Sequence, residues 1–229
     1  MNSFIELIER IIGPINTLPY LILSLIIAFT VHEFSHAYVA YRFGDPTAKN
    51  EGRLTLNPMS HLDVFGTIMI FIAGFGWAKP VPVNYFYLRN KKYAGVLVSF
   101  AGPLSNLLVA FLSMMIWGLL YKIGVLTRIE ESTYLAISLF FETLISLNIV
   151  LFIFNLLPFP PLDGYRIIED LAPQHIRSKL IQWEQYGIFI FLILVITPLG
   201  DYVFGPLFQV VHPFIFQSIS NIAFLIYGI

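Results

Sequence analysis

Cysteine is absent from this sequence. Its absence excludes disulfides, a thiolate nucleophile and any metal held by sulfur. Charge is scarce as well. Asp, Glu, Lys and Arg make up 12% of the residues, against about 25% in soluble domains. The formal net charge is −1, so no basic surface points to nucleic acid. No polar stretch is long enough for an appended soluble domain, and neither an internal repeat nor a low-complexity tract is visible. A cleavable signal peptide is not expected either, because the first apolar segment, FIELIERIIG at 4–13, carries Glu6, Glu9 and Arg10. Its apolar residues fall at roughly helical spacing, which predicts a helix lying on a membrane surface.

What the chain has instead is apolar length. It is 57% hydrophobic over 229 residues, with a mean hydropathy of +0.77. A membrane-crossing helix takes about 20 mostly apolar residues. Runs at about 18–43, 94–120, 134–157 and 181–199 qualify, and a less regular one at 202–227 is interrupted by Pro206 and Pro213. The expected fold is therefore all-α and polytopic, with about five transmembrane helices.

The stretch FGTIMIFIAGFGW at 65–77 is apolar but short for a span, and it runs into AKPVPVNYFYL. Its Gly, Pro and β-branched residues predict a re-entrant loop or hairpin after the first span, not a helix. Such backbone is tolerated at membrane depth only where protein or a wet cavity surrounds it. Charge separates a loop from a crossing. Without a crossing, Arg42, Lys49, Arg53, Lys79, Arg89, Lys91 and Lys92 share one side with Arg166, Arg177 and Lys179, leaving Arg10, Lys122 and Arg128 opposite. With a crossing, the split falls to eight against five. The positive-inside rule favours the first arrangement, with the end of the first span cytoplasmic.

That first span ends in FTVHEFSHAYVAYRFG, residues 29–44. H-E-x-x-H on a helix places two imidazoles, His32 and His36, one turn apart on one face. This spacing suits two ligands of a tetrahedral zinc, and Glu33, beside the first, can act as general base on a water there. A lone buried histidine is more often a hydrogen-bonded core residue than a ligand. Here, however, three ionisable residues occupy five positions of a membrane helix, and an intramembrane acid alone costs about 2.5–3.5 kcal/mol on insertion scales. A third ligand must be a carboxylate or a histidine. Asp163, in NLLPFPPLDGYRI, ends the third long apolar run, on the same side as the motif if 65–77 does not cross. Asp63 and His61 in NPMSHLDVFG read as parts of a turn and a helix cap. Glu142 reads as a neutral, hydrogen-bonded carboxyl, and His175 and His212 as interfacial.

Together these motifs resemble the site-2 protease family of intramembrane zinc metalloproteases, in its compact prokaryotic form without PDZ or CBS domains. The resemblance covers roughly 28–170 and rests on HEFSH at 32–36, FGDPTAKNEGRLTLNPMSHLD at 43–63, GWAKPVPVN at 76–84, AGPLSN at 101–106 and NLLPFPPLDG at 155–164. HLDV at 61–64 departs from the family's HLDP, at a residue without chemistry. The resemblance implies a single integral-membrane peptidase domain over 1–229, with a catalytic core at about 18–170 and C-terminal helices at about 180–228. It implies one Zn2+ bound by His32, His36 and Asp163, with Glu33 as catalytic base. Asn106, in the G-x-x-x-N pattern from Gly102, and Asn155 match polar residues that face substrate or the oxyanion. Their alternative role is helix-to-helix hydrogen bonding. The implied partners are a transmembrane protein substrate and the lipid bilayer. Two other classes stand beside this one: a metal-handling transporter, since intramembrane His and acids also mark ion paths, and a catalytically silent scaffold that binds membrane helices.

Overall fold

The first long helix, α1, Leu18–Arg42, is entered through Pro19, whose missing N–H has no helical partner at that position anyway. It ends where Gly44 takes φ 103°. Gly44 N–H reaches Tyr41 O and Asp45 N–H reaches Ala40 O, each at 3.0 Å, the Schellman pattern that favours glycine. The turn sends Asp45 inward. There it is fully buried and accepts from Thr47 N at 2.9 Å and Asn84 N at 2.6 Å. This computed structural model describes residues 15–73, 77–197 and 199–228. The surface helix expected over 4–13 lies outside them.

Between α1 and the next long helix come a short helix α2, Thr47–Asn50, a 3-10 turn Pro58–Ser60, and α3, Val64–Ala73. Here the sequence expectation is corrected: the first arm of the apolar stretch is a helix. Its β-branched residues lose to the membrane's stronger demand, because a short lone segment satisfies its own backbone only as a helix. At 10 residues and about 1.5 Å each, α3 reaches about half of a bilayer core of about 30 Å. The chain then returns. Ala78 bridges to Leu62, Lys79 N–H donates to His61 O at 2.8 Å, and a Cβ on Gly66 would overlap the Trp77 backbone. Arg89 N–H donates to Phe43 O at 2.9 Å, so the excursion opens and closes at one end of α1. The re-entrant hairpin is therefore present. No named strand occurs among the described residues.

Asn57 and Asp63 behave as caps, accepting from Met59 N at 3.1 Å and Gly66 N at 2.7 Å. Buried His61 donates from Nε2 to Thr55 O at 2.7 Å. All three hold the loop.

The remaining helices are α4, Lys91–Lys122; α5, Glu131–Asn155; α6, Asp163–Leu171; α7, Gln174–Ile196; and α8, Leu199–Tyr227. α8 runs unbroken through Pro206 and Pro213, where the sequence predicts an interruption; membrane helices accommodate proline when neighbours meet the freed backbone groups. Four of the described helices are long and apolar enough to cross a membrane: α1, α4, α5 and the Phe204–Tyr227 part of α8. α7 is comparably long but begins with a polar half that carries Arg177, Lys179 and Glu184. α4 is the central helix, packed on α1, α5, α6 and α8. Ala110 and Met114 of α4, Ile145, Ile149 and Ile153 of α5, and Ile219 and Ala223 of α8 form one buried cluster. His212, expected at the interface, instead meets Ser146 Oγ of α5 at 2.9 Å, while His175 and Glu142 are exposed.

Candidate metal centre

Three elements converge where α1, α4 and the start of α6 meet. α1 presents His32 and His36 on one face, both buried. α6 begins at Asp163, carried there by the tight LPFPPL turn after α5. Gly164 makes the turn possible, because a Cβ at that position would overlap the Leu156 carbonyl. α4 contributes a gap. A Cβ on Gly102 would stand 2.6 Å from His32 Nε2 and closer still to His36 Nε2.

The three side chains make a triangle. His32 Nε2 lies 3.0 Å from His36 Nε2, and Asp163 Oδ2 lies 3.2 Å and 3.3 Å from them. The far nitrogens are already committed. His32 Nδ1 is 2.7 Å from Asn106 Oδ1, and His36 Nδ1 is 2.7 Å from Val98 O. Both partners accept, so each Nδ1 carries a proton and each Nε2 is turned into the triangle. Asp163 Oδ2 is itself a buried oxygen without a hydrogen-bond donor. Two imidazole nitrogens and a carboxylate oxygen thus converge on one point, a donor set suited to a cation. Zinc bonds of about 2.0–2.2 Å to nitrogen and carboxylate oxygen place tetrahedral neighbours about 3.3–3.5 Å apart. The observed edges lie at the lower end of that range or a few tenths of an ångström below it, and among the described residues this is a group that could hold a metal ion.

Glu33 is buried beside the triangle on α1. Its Oε2 accepts from Val81 N–H at 3.0 Å, so the segment returning from the hairpin orients the carboxylate. Asn106 lies at the triangle, where its amide is engaged by neighbouring helices. Its amide nitrogen donates to Asn148 Oδ1 at 2.9 Å and Ala28 O at 3.3 Å, which uses both N–H groups. Asn155 donates one N–H to Leu151 O at 2.9 Å, one turn back on α5. Sequence reasoning missed Val81, which offers only its backbone, and Asn148. The available signal for Asn148 was an amide in the middle of an otherwise apolar span.

Beyond the spans, a second polar cluster ties this loop to α6. Tyr85 Oη donates to Asp170 Oδ2 at 2.9 Å. Arg177 Nη2 lies 2.9 Å from Asp170 Oδ1, and its guanidinium stands 5.4 Å over the Tyr85 ring. Burial, then the Asp170 carboxylate, pushes the Tyr85 hydroxyl well above its ordinary range, so it stays a donor. Burial also raises Asp170, against the pull of Tyr85 and Arg177.

Comparison with known proteins agrees with this chemistry. The sequence profile of peptidase family M50 matches residues 20–197. A Bacillus subtilis (strain 168) protein named "Putative zinc metalloprotease YwhC" is 53% identical over 209 residues, covering 91% of this chain and 94% of that protein. "Putative zinc metalloprotease Rip2" of Mycobacterium tuberculosis (strain H37Rv) is 32% identical over 187 residues, covering 79% of this chain and 68% of that protein. No solved structure matches. With its long apolar helices, the chain is a multi-pass membrane protein, and it belongs to peptidase family M50, the site-2 protease family of metalloproteases.

Proposed function

We propose that this protein hydrolyses peptide bonds in or near the membrane-spanning segments of other membrane proteins. In this reading one zinc ion per chain is held by Nε2 of His32, Nε2 of His36 and Oδ2 of Asp163. The observation that carries it is the convergence of these three atoms in one triangle, with edges of 3.0, 3.2 and 3.3 Å. When bound, zinc supplies Lewis acidity toward a peptide carbonyl and toward water. Glu33, held by Val81 N–H, takes the proton of the attacking water and returns it to the leaving amine. Asn155 has one N–H left beyond its bond to Leu151 O, and we assign that donor to the developing oxyanion.

The peptidase is a single integral-membrane domain. Its catalytic core runs over about 18–170, and α7 and α8 complete the bundle. The site faces the cytoplasmic side, a reading supported by the ten basic residues that the hairpin keeps together. A substrate helix must unwind, because its carbonyls are otherwise hydrogen-bonded. The 77–84 segment, whose Val81 N–H holds Glu33, offers the freed peptide a backbone edge.

The test is zinc content and cleavage in purified wild type, Glu33→Gln and Asp163→Ala. Expected are one zinc per chain in the first two, much less in the third, and cleavage of a transmembrane substrate by wild type alone. Full cleavage by Glu33→Gln would refute the base. A folded wild type that takes up no supplied zinc would refute the centre. Zinc uptake accompanied by metal flux across vesicles, without cleavage, would support a transporter instead.

A further inference from the structure

Asn148 sits in the middle of α5, fully buried, and its hydrogen bonds run to Leu144 and Asn106 and not to the triangle itself. Its contacts nevertheless lead to one of them. Asn148 Nδ2 donates to Leu144 O at 2.8 Å. Asn106 Nδ2 donates to Asn148 Oδ1 at 2.9 Å, and Asn106 Oδ1 meets His32 Nδ1 at 2.7 Å. An amide's oxygen and nitrogen are assigned from its hydrogen bonds, and here the assignment is forced. Leu144 O is a backbone carbonyl and only accepts, so Asn148 must turn its nitrogen to it. Asn148 Oδ1 then faces α4 and requires the nitrogen of Asn106. That leaves Asn106 Oδ1 toward α1, where it accepts the Nδ1 proton of His32. Ala28 O, also an acceptor, lies 3.3 Å from Asn106 Nδ2 and favours the same direction.

We propose that Asn148 is a positioning residue of the metal centre, which acts through Asn106 to hold His32 as its Nδ1–H tautomer with Nε2 free for a metal. The inference rests on the zinc reading above. A ligand histidine is oriented by the partner of its other nitrogen, and loss of such a partner weakens metal affinity about 10–100-fold. His36 receives the same constraint directly from Val98 O. His32 receives it through two side chains, Asn106 and Asn148, the second anchored on Leu144 O of α5. Without Asn148, only the longer bond to Ala28 O opposes rotation of the Asn106 amide. The rotated amide would offer N–H to Nδ1, move the ring proton to Nε2 and block the ligand position.

The experiment compares full-length wild type, Asn148→Leu, Asn148→Ala and Asn148→Asp in detergent. Zinc affinity is read by chelator competition, and the ring nitrogens of His32 by 15N NMR of the zinc-free protein. An aspartic acid buried in the span stays protonated, and so offers an O–H for Leu144 O and an oxygen for Asn106. Expected are a 10–100-fold loss of zinc affinity and a protonated Nε2 population in Asn148→Leu, with affinity and Nδ1–H signal restored in Asn148→Asp. If the leucine variant does not fold, the alanine variant is read the same way. Unchanged affinity in the folded leucine or alanine variant overturns the proposal. Equal weakening in all three variants with an intact Nδ1–H signal overturns it too, and marks Asn148 as a packing residue. A wild type that binds zinc tightly beside an unaffected Asn148→Leu leaves the peptidase reading standing and removes only this one.

Discussion

At the scale of single residues, the centre depends as much on an atom left out as on those present. Gly102 brings bare backbone against the two imidazoles, and a Cβ there would stand 2.6 Å from His32 Nε2 and nearer to His36 Nε2. Gly102→Ala is therefore expected to displace one ring and abolish stoichiometric zinc binding. Alanine is better than glycine inside a helix by about 0.5–1 kcal/mol, so weakening of α4 does not explain such a loss. Circular dichroism should show unchanged helix content while bound zinc falls, and a Gly102→Ala protein with full zinc would mean that the rings have room to move. The residue scale is also where the sequence was most legible. The spacing in HEFSH names both histidines of the triangle and the proposed base, and LDG names the carboxylate. The direction of Asn106 was not legible, because it depends on carbonyls of α1 and α5 that only the fold brings near.

At the scale of elements, the segment after the hairpin carries the most consequence. Val81 N–H donates to Glu33 and Asn84 N–H to Asp45; in the proposed reading an unwound peptide pairs with the Val83 N–H between them in the chain. Val83→Pro removes that donor without touching the triangle. One lost hydrogen bond of about 1–1.5 kcal/mol corresponds to roughly tenfold, so cleavage should fall by about that factor with zinc content unchanged. Cleavage of the same substrate at the wild-type rate would remove this segment from substrate binding. The alternating VPVNYFYL pattern suggests a strand edge, but no named strand occurs among the described residues and 85–87 form a turn, with Tyr87 N–H on Asn84 O at 3.1 Å. The helix α3 before it was illegible for a physical reason: its propensities favour strand, and the membrane's demand for internal backbone bonding overrides them.

At the scale of the whole molecule, the decisive feature is that residues 44–88 return to where they began. The Arg89–Phe43 backbone bond closes that excursion, and with it α1 and α5 run in parallel, both delivering their C-terminal ends to the centre. Had α3 been part of a crossing, Asp163 would have emerged on the face opposite His36 and no triangle could form. The charge asymmetry in the sequence favours this topology, because hairpin and crossing distribute the same basic residues differently. It is open to direct measurement, and the absence of native cysteine makes single-cysteine reporters clean. Lys49, Lys92 and Lys122 are all exposed; the first two flank the hairpin, and the third ends α4. In sealed vesicles of one orientation, Lys49→Cys and Lys92→Cys should react with a membrane-impermeant maleimide from the same side, and Lys122→Cys only from the other. Labelling of Lys49→Cys and Lys92→Cys from opposite sides would place a crossing between them. It would then separate Asp163 from the motif helix and dissolve the metal centre along with the topology. Labelling of the first two from the cytoplasmic side would fix the side on which the site opens, and hence the side from which water and an unwound substrate must reach Glu33.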